Sequence, residues 1–178
     1  RGVEANGRTV SPYGEDVNYI LIEGTHYFGN SSSEKHYLNK TGQERLKEEV
    51  QVFADKDNYP LNFHCSAGRD RTGVLAYIIE GLLGIPEDVI MMDYELSWLS
   101  GSAASQVDSA TYFGWMDEFH AYINTFEGET FKDRMESYCL YIGVTEEEIA
   151  NIREILLEPT DKLQPLSLKV GSMRLTGN

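Results

Sequence analysis

Three things are scarce in this sequence: cysteine, long apolar runs and basic residues. The 178 residues contain two cysteines, which is too few for a disulfide-rich scaffold. No apolar run reaches the roughly 18 residues that a transmembrane helix needs, so we expect no integral membrane segment. The 15 Lys and Arg stand against 29 Asp and Glu, a net charge of −14. This balance argues against a nucleic-acid partner, and any phosphate site must depend on a local positive field.

The spacing of the metal-binding residue types is also not that of a metal site. Cys65 and Cys139 form no Cys-x-x-Cys pair, and the four histidines do not fall at ligand spacing. The sequence therefore predicts neither a metal ion nor another cofactor. Cys139 shares one predicted helix face with Met135 and Ile142, so we expect it to lie in the core.

The length and the hydrophobic content of 41% are those of one globular domain. We expect this domain to span residues 1–158 and residues 159–178 to be a tail or linker. The first ten residues lack both an initiator Met and the apolar core of a signal peptide, so we expect the natural start to lie upstream. The composition is that of a soluble protein, either cytoplasmic or secreted.

The order of predicted elements indicates an α/β fold. Two short apolar segments, 17–22 and 61–65, have the composition of strands. Helices are predicted at 43–55, 71–84, 86–99, 115–126, 130–142 and 145–158, the last with a capping box at Thr145 and Glu148. This order predicts a parallel or mixed sheet flanked by helices, with a helical C-terminal cap. A stable sheet needs more than two strands, so we expect further strands before Arg1 or in the tail.

Residues 64–73, HCSAGRDRTG, connect the second predicted strand to the most apolar predicted helix. A small-residue turn that enters a helix offers unpaired backbone N–H groups and the positive end of the helix dipole, which together favour an anion. Successive amides in the turn can form a concave phosphate site. The expected phosphate ligands are Ser66, Ala67, Gly68, Arg69, Asp70 and Arg71.

The same ten residues carry the groups needed for nucleophilic phosphate transfer. Cys65 stands at the entrance of the turn, where the positive field favours the thiolate, which is the nucleophilic form. The planar guanidinium of Arg71 can hold two phosphate oxygens. The hydroxyl of Thr72 can donate to the cysteine sulfur, and His64 is expected to orient the cysteine through hydrogen bonds. The pattern predicts a phosphomonoester hydrolase with a cysteinyl-phosphate intermediate.

The pattern Cys65-x5-Arg71-Thr72 resembles the signature of the cysteine-dependent protein tyrosine phosphatase superfamily. Together with LLGIPEDVIMMDYELS and YIGVTEEEIANIREILLE, it is similar to the bacterial and fungal branch called tyrosine phosphatase family 3. The resemblance implies a metal-independent, dual-specificity phosphatase that acts on phosphotyrosine proteins, phosphoinositides or both. Arg69 stands where the family usually has Lys. Its charge favours polyanionic ligands such as phosphoinositides, or is simply solvated.

The sequence leaves two questions about catalysis open. The superfamily usually takes its general acid from an Asp on a separate loop, but Asp55 and Asp57 precede the second predicted strand and belong at its far end. We favour Asp70 as the acid, with Glu23 and His26 as alternatives; Asp70 could instead form an ion pair that orients a neighbouring arginine. The alternative to an enzyme is a pseudophosphatase that binds phosphate without turnover.

Overall fold

The computed structural model describes residues 17–22, 26–28, 35–65, 68–99 and 109–157. Within these ranges the chain forms six α-helices: α1 (Lys40–Phe53), α2 (Arg71–Leu83), α3 (Glu87–Leu96), α4 (Ser109–Ile123), α5 (Phe131–Tyr141) and α6 (Glu146–Leu156). Single turns of 3₁₀ helix occur at His36–Leu38, Lys56–Asn58 and Ser97–Leu99. All six predicted helices are confirmed, with shifted ends, and none is long and apolar enough to cross a membrane.

The predicted α/β fold with its sheet is wrong, because the described ranges contain helices and no β-strand. Residues 17–22 and 61–65, both expected as strands, follow irregular paths there. A strand is stabilised by a ladder of hydrogen bonds to a neighbouring strand, and neither segment has such a neighbour among the described residues. Val17, Tyr19 and Ile20 are accordingly exposed. A composition rich in β-branched and apolar residues makes a segment suitable for a sheet, but a strand also requires a neighbouring strand to pair with.

Helix α2 lies at the centre of the packing. It is apolar on almost every side, and α1, α3, α5 and α6 all pack against it. At Gly81 a Cβ atom would lie 2.9 Å from the Met135 side chain, so the absence of a side chain lets α2 and α5 approach closely. The helix stops, as predicted, at Gly84, whose φ of 78° is left-handed. The buried residues of α2 are Val74, Leu75, Tyr77, Ile78, Ile79, Gly81 and Leu82.

The amphipathic helices bury the faces that their spacing predicts. Helix α1 turns Leu46, Val50 and Phe53 into the core. On α5, Cys139 and Met135 are fully buried, which confirms the core position expected for this cysteine.

Helix α6 begins with the predicted capping box. The Thr145 side chain accepts a hydrogen bond from the Glu148 backbone N–H, and the Glu148 carboxylate accepts one from the Thr145 backbone N–H. Two otherwise unpaired backbone donors are thereby satisfied. The cap places the apolar face of α6, with Ile149 and Ile152 buried, against α2.

Replacing the cap hydroxyl should destabilise the protein measurably. Thr145→Ala removes the acceptor for the Glu148 N–H and should lower the free energy of unfolding by about 1 kcal/mol in urea denaturation. Thr145→Ser keeps the hydroxyl and should stay close to wild type. An alanine variant as stable as the serine variant would show that the cap contributes nothing.

Candidate active site

Cys65 and Arg71 bracket the turn that begins helix α2. Cys65 is the last residue of the irregular segment that enters the turn, and it is half-buried and forms no disulfide. Arg71 is the first residue of α2, so the turn lies at the helix N-terminus as the sequence predicted. Gly68 has a left-handed φ of 69° with open space around it, so its backbone conformation is what favours glycine here. Two predicted phosphate ligands, Ser66 and Ala67, lie outside the described residues.

The structure brings two of the three candidate acids together. Oδ2 of Asp70 lies 2.8 Å from Nδ1 of His26. The Asp70 side chain is 12% exposed and that of His26 is 50% exposed, so the histidine faces solvent and the aspartate does not. Burial raises the pKa of Asp70, while the hydrogen bond from His26 opposes that rise. The third candidate, Glu23, lies outside the described residues.

His26 is held in place by the two aromatic residues that follow it. Tyr27 is completely buried, and its carbonyl accepts a hydrogen bond from the Tyr37 backbone N–H at 3.4 Å. The Phe28 ring stacks on Trp115 of α4 with an interplanar angle of 21°. These contacts fix the short segment against the core, and the imidazole of His26 is left at the surface beside Asp70.

The two supporting residues of the turn lie in different environments. His64 is exposed, and its Nδ1 is 3.1 Å from the carbonyl oxygen of Cys65, so it contacts the cysteine through the main chain. The Thr72 hydroxyl is buried and makes no hydrogen bond to a described residue. The guanidinium of Arg71 also carries a buried Nε. The turn therefore presents polar groups that face the interior as well as groups that face solvent.

The other polar residues considered from the sequence lie elsewhere. Asp55 caps the 3₁₀ turn at Lys56–Asn58 by accepting a hydrogen bond from the Asp57 backbone N–H. Within the part of the chain that the structure describes, no three His, Cys, Asp or Glu side chains group closely enough to hold a metal ion.

Gly73, the last residue of HCSAGRDRTG, is required by packing rather than by the phosphate site. A Cβ atom there would lie 2.9 Å from Cε2 of the Tyr94 ring. Tyr94 is buried and belongs to α3. The glycine therefore lets α3 pack directly against the first turn of α2, which fixes the direction in which that helix leaves the active-site turn.

Sequence reasoning missed Glu49 on helix α1. Burial raises the pKa of Glu49 to about 7, and the charges of Cys65 and Asp70 also raise it, whereas Tyr27 and Arg71 lower it. The carboxyl thus lies within electrostatic reach of the candidate nucleophile, acid and phosphate ligand. Helical spacing could have revealed it, because Glu49 lies three residues after Leu46 and four before Phe53, on the apolar face of α1.

The sequence matches the model of the tyrosine phosphatase family over residues 24–158, and the chain belongs to that family. It is also 36% identical over 55 residues to a tyrosine-protein phosphatase of Nostoc commune. That stretch is 31% of this chain and 19% of the relative's length. The chain matches no solved structure. The family assignment confirms the resemblance inferred from Cys65-x5-Arg71-Thr72 and its two companion segments.

The two thiols should differ sharply in reactivity. Burial raises the pKa of Cys139, so this residue stays a protonated, inaccessible thiol near neutral pH. Iodoacetamide should therefore alkylate Cys65 in the native protein and reach Cys139 only after denaturation, as measured by peptide mass spectrometry. Inorganic phosphate should slow the reaction at Cys65. Equal alkylation rates at both residues would contradict the expected difference between the thiols. An unchanged rate at Cys65 in the presence of phosphate would contradict a phosphate site beside it.

Proposed function

We propose that this protein is a phosphomonoester hydrolase that works through a cysteinyl-phosphate intermediate. The observation that carries the proposal is the arrangement at the start of α2. Cys65 precedes the turn, Arg71 follows it as the first residue of the helix, and Asp70 within the turn contacts His26. Membership of the tyrosine phosphatase family supports the same chemistry.

In the first step the Cys65 thiolate attacks phosphorus, an S–P bond forms, and the P–O bond to the leaving group breaks. Arg71 and the backbone amides of residues 66–71 hold the three non-bridging oxygens, whose charge rises in the transition state. Water then attacks the cysteinyl phosphate and gives a proton to the Asp70 carboxylate that the first step leaves, the S–P bond breaks, and phosphate leaves. The Thr72 hydroxyl donates to the departing sulfur. These residues require no metal ion for this sequence of steps.

We assign the proton for the leaving group to Asp70, with His26 as its hydrogen-bonded partner. Burial raises the pKa of Asp70, so its neutral form is available at a higher pH than for an exposed aspartate. Oδ2 of Asp70 is hydrogen-bonded to His26, whereas Oδ1 is buried and has no hydrogen bond to a described residue. That second oxygen is the one left to donate to an alkoxide or phenolate.

The substrates we propose are phosphotyrosine proteins and phosphoinositides, which present the same phosphomonoester. With a net charge of −14, the chain repels such anions at long range. Recognition therefore depends on the short-range positive groups of the turn, Arg71 and Arg69 together with the N-terminus of α2. Arg69 supplies the additional charge that a polyanionic headgroup would use.

The nucleophile is tested by phosphate release from a phosphotyrosine peptide, a phosphoserine peptide and short-chain phosphoinositides. Cys65→Ser should abolish release, by at least about a thousandfold, and should still bind inorganic phosphate, because the turn is retained. Cys139→Ala is the matched control and should remain active while folded. Phosphate binding by the wild type without release from any substrate would identify a pseudophosphatase.

The acid is tested by comparing leaving groups. Asp70→Asn should slow hydrolysis of an alkyl phosphate by about a hundredfold and of nitrophenyl phosphate much less, since nitrophenolate leaves without a proton. His26→Asn should show the same preference with a smaller loss. If both substrates slow equally in Asp70→Asn, the carboxyl has a structural role only.

A further inference from the structure

Three buried polar atoms belong to side chains that come from separate parts of the chain and interact electrostatically. They are Nε of Arg71 at the start of α2, Oε2 of Glu49 on α1, and the Tyr27 hydroxyl on the short segment that carries His26. None of them makes a hydrogen bond of ordinary geometry to a described residue. Buried polar groups in folded proteins are nearly always paired. The set is also complementary, because the guanidinium only donates, the carboxylate only accepts, and the hydroxyl can donate.

Glu49 interacts electrostatically with both of the other groups. The Tyr27 hydroxyl and the Arg71 charge both lower the pKa of Glu49 against the stronger effect of burial. Burial and Glu49 in turn raise the pKa of Tyr27, so its hydroxyl keeps its proton and acts as a donor. Helices α1 and α2, which carry the carboxyl and the guanidinium respectively, pack against each other.

We propose that Glu49 is a positioning residue of the phosphate site, whose carboxylate accepts from Arg71 Nε and from the Tyr27 hydroxyl when an anion is bound. This contact fixes the plane of the guanidinium, so that its terminal nitrogens point towards the phosphate oxygens. Glu49 itself does not touch the substrate. The inference deepens the proposed function, because it rests on the assignment of Arg71 as the phosphate ligand.

The contact depends on the ionisation of Glu49. The groups whose interactions with the Glu49 carboxyl shift its pKa are Tyr27, Arg71, Cys65 and Asp70. With a pKa of about 7, Glu49 is mostly neutral below that pH and mostly charged above it. Only the charged form attracts the guanidinium strongly. Its contribution to anion binding is therefore small in mild acid and increases as the pH rises through neutrality.

The test compares wild type with Glu49→Gln across pH 5.5 to 8.5, in the full chain. Two quantities are measured: binding of inorganic phosphate by calorimetry, and kcat/KM for nitrophenyl phosphate. The ratio of wild type to variant removes the titration of phosphate itself, which is the same for both proteins. The ratio should stay near one below about pH 6 and rise to about tenfold above pH 8, the effect of one hydrogen bond to a charged group.

Glu48→Gln is the matched control. Glu48 is the preceding residue of α1 but lies on the exposed face, where it pairs with Arg45. Its ratio should be flat and close to one. A flat ratio for Glu49→Gln, whether at one or at a uniform loss across the pH range, would overturn the positioning role.

Tyr27→Phe gives an independent check that keeps the buried ring. Losing the hydroxyl removes a group that lowers the pKa of Glu49. The rise in the ratio, measured in the Tyr27→Phe background with and without Glu49→Gln, should therefore move to higher pH. An unmoved profile would also contradict the proposal. Cys65-dependent turnover with a flat ratio would refute this inference and leave the proposed function intact. A ratio for phosphate binding that rises with pH, without turnover of any substrate, would support the Glu49 role and refute the hydrolase.

Discussion

The burial of helix α2 is the constraint on which the rest of the structure depends. Four other helices pack around it, and glycines at two positions let its neighbours approach the backbone. Tyr94 presses on the first turn at Gly73, and Met135 presses near the last turn at Gly81. The direction of the helix axis is therefore set by the core. Because residues 68–70 lead directly into this helix, the placement of Arg71 follows from the packing of α2 against its neighbours.

Local patterns in the sequence were sufficient for the helices and for the turn. Apolar spacing predicted α1, α2 and α6, and the order of residues from Cys65 to Thr72 predicted a turn at the start of α2. The sheet could not be inferred in the same way. Whether residues 17–22 form a strand depends on a neighbouring strand elsewhere in the chain. Their own composition does not show whether such a strand exists.

The same distinction between local and distant information applies to the candidate acid. Asp70 was favoured because it lies inside the motif, but its contact with His26 joins residues 44 positions apart. No spacing rule predicts such a pair. Glu49 is an intermediate case. Helical spacing predicts its place on the apolar face of α1, but no spacing rule predicts its electrostatic interaction with Arg71.

The length of α2 has a consequence for mutational sensitivity. Its 13 residues span about 20 Å, and fully buried side chains occur towards both ends, at Val74 and at Leu82. Shortening either side chain would leave a cavity in the core. Sensitivity to substitution is therefore expected along the whole helix and is not confined to the residues of the turn that precedes it.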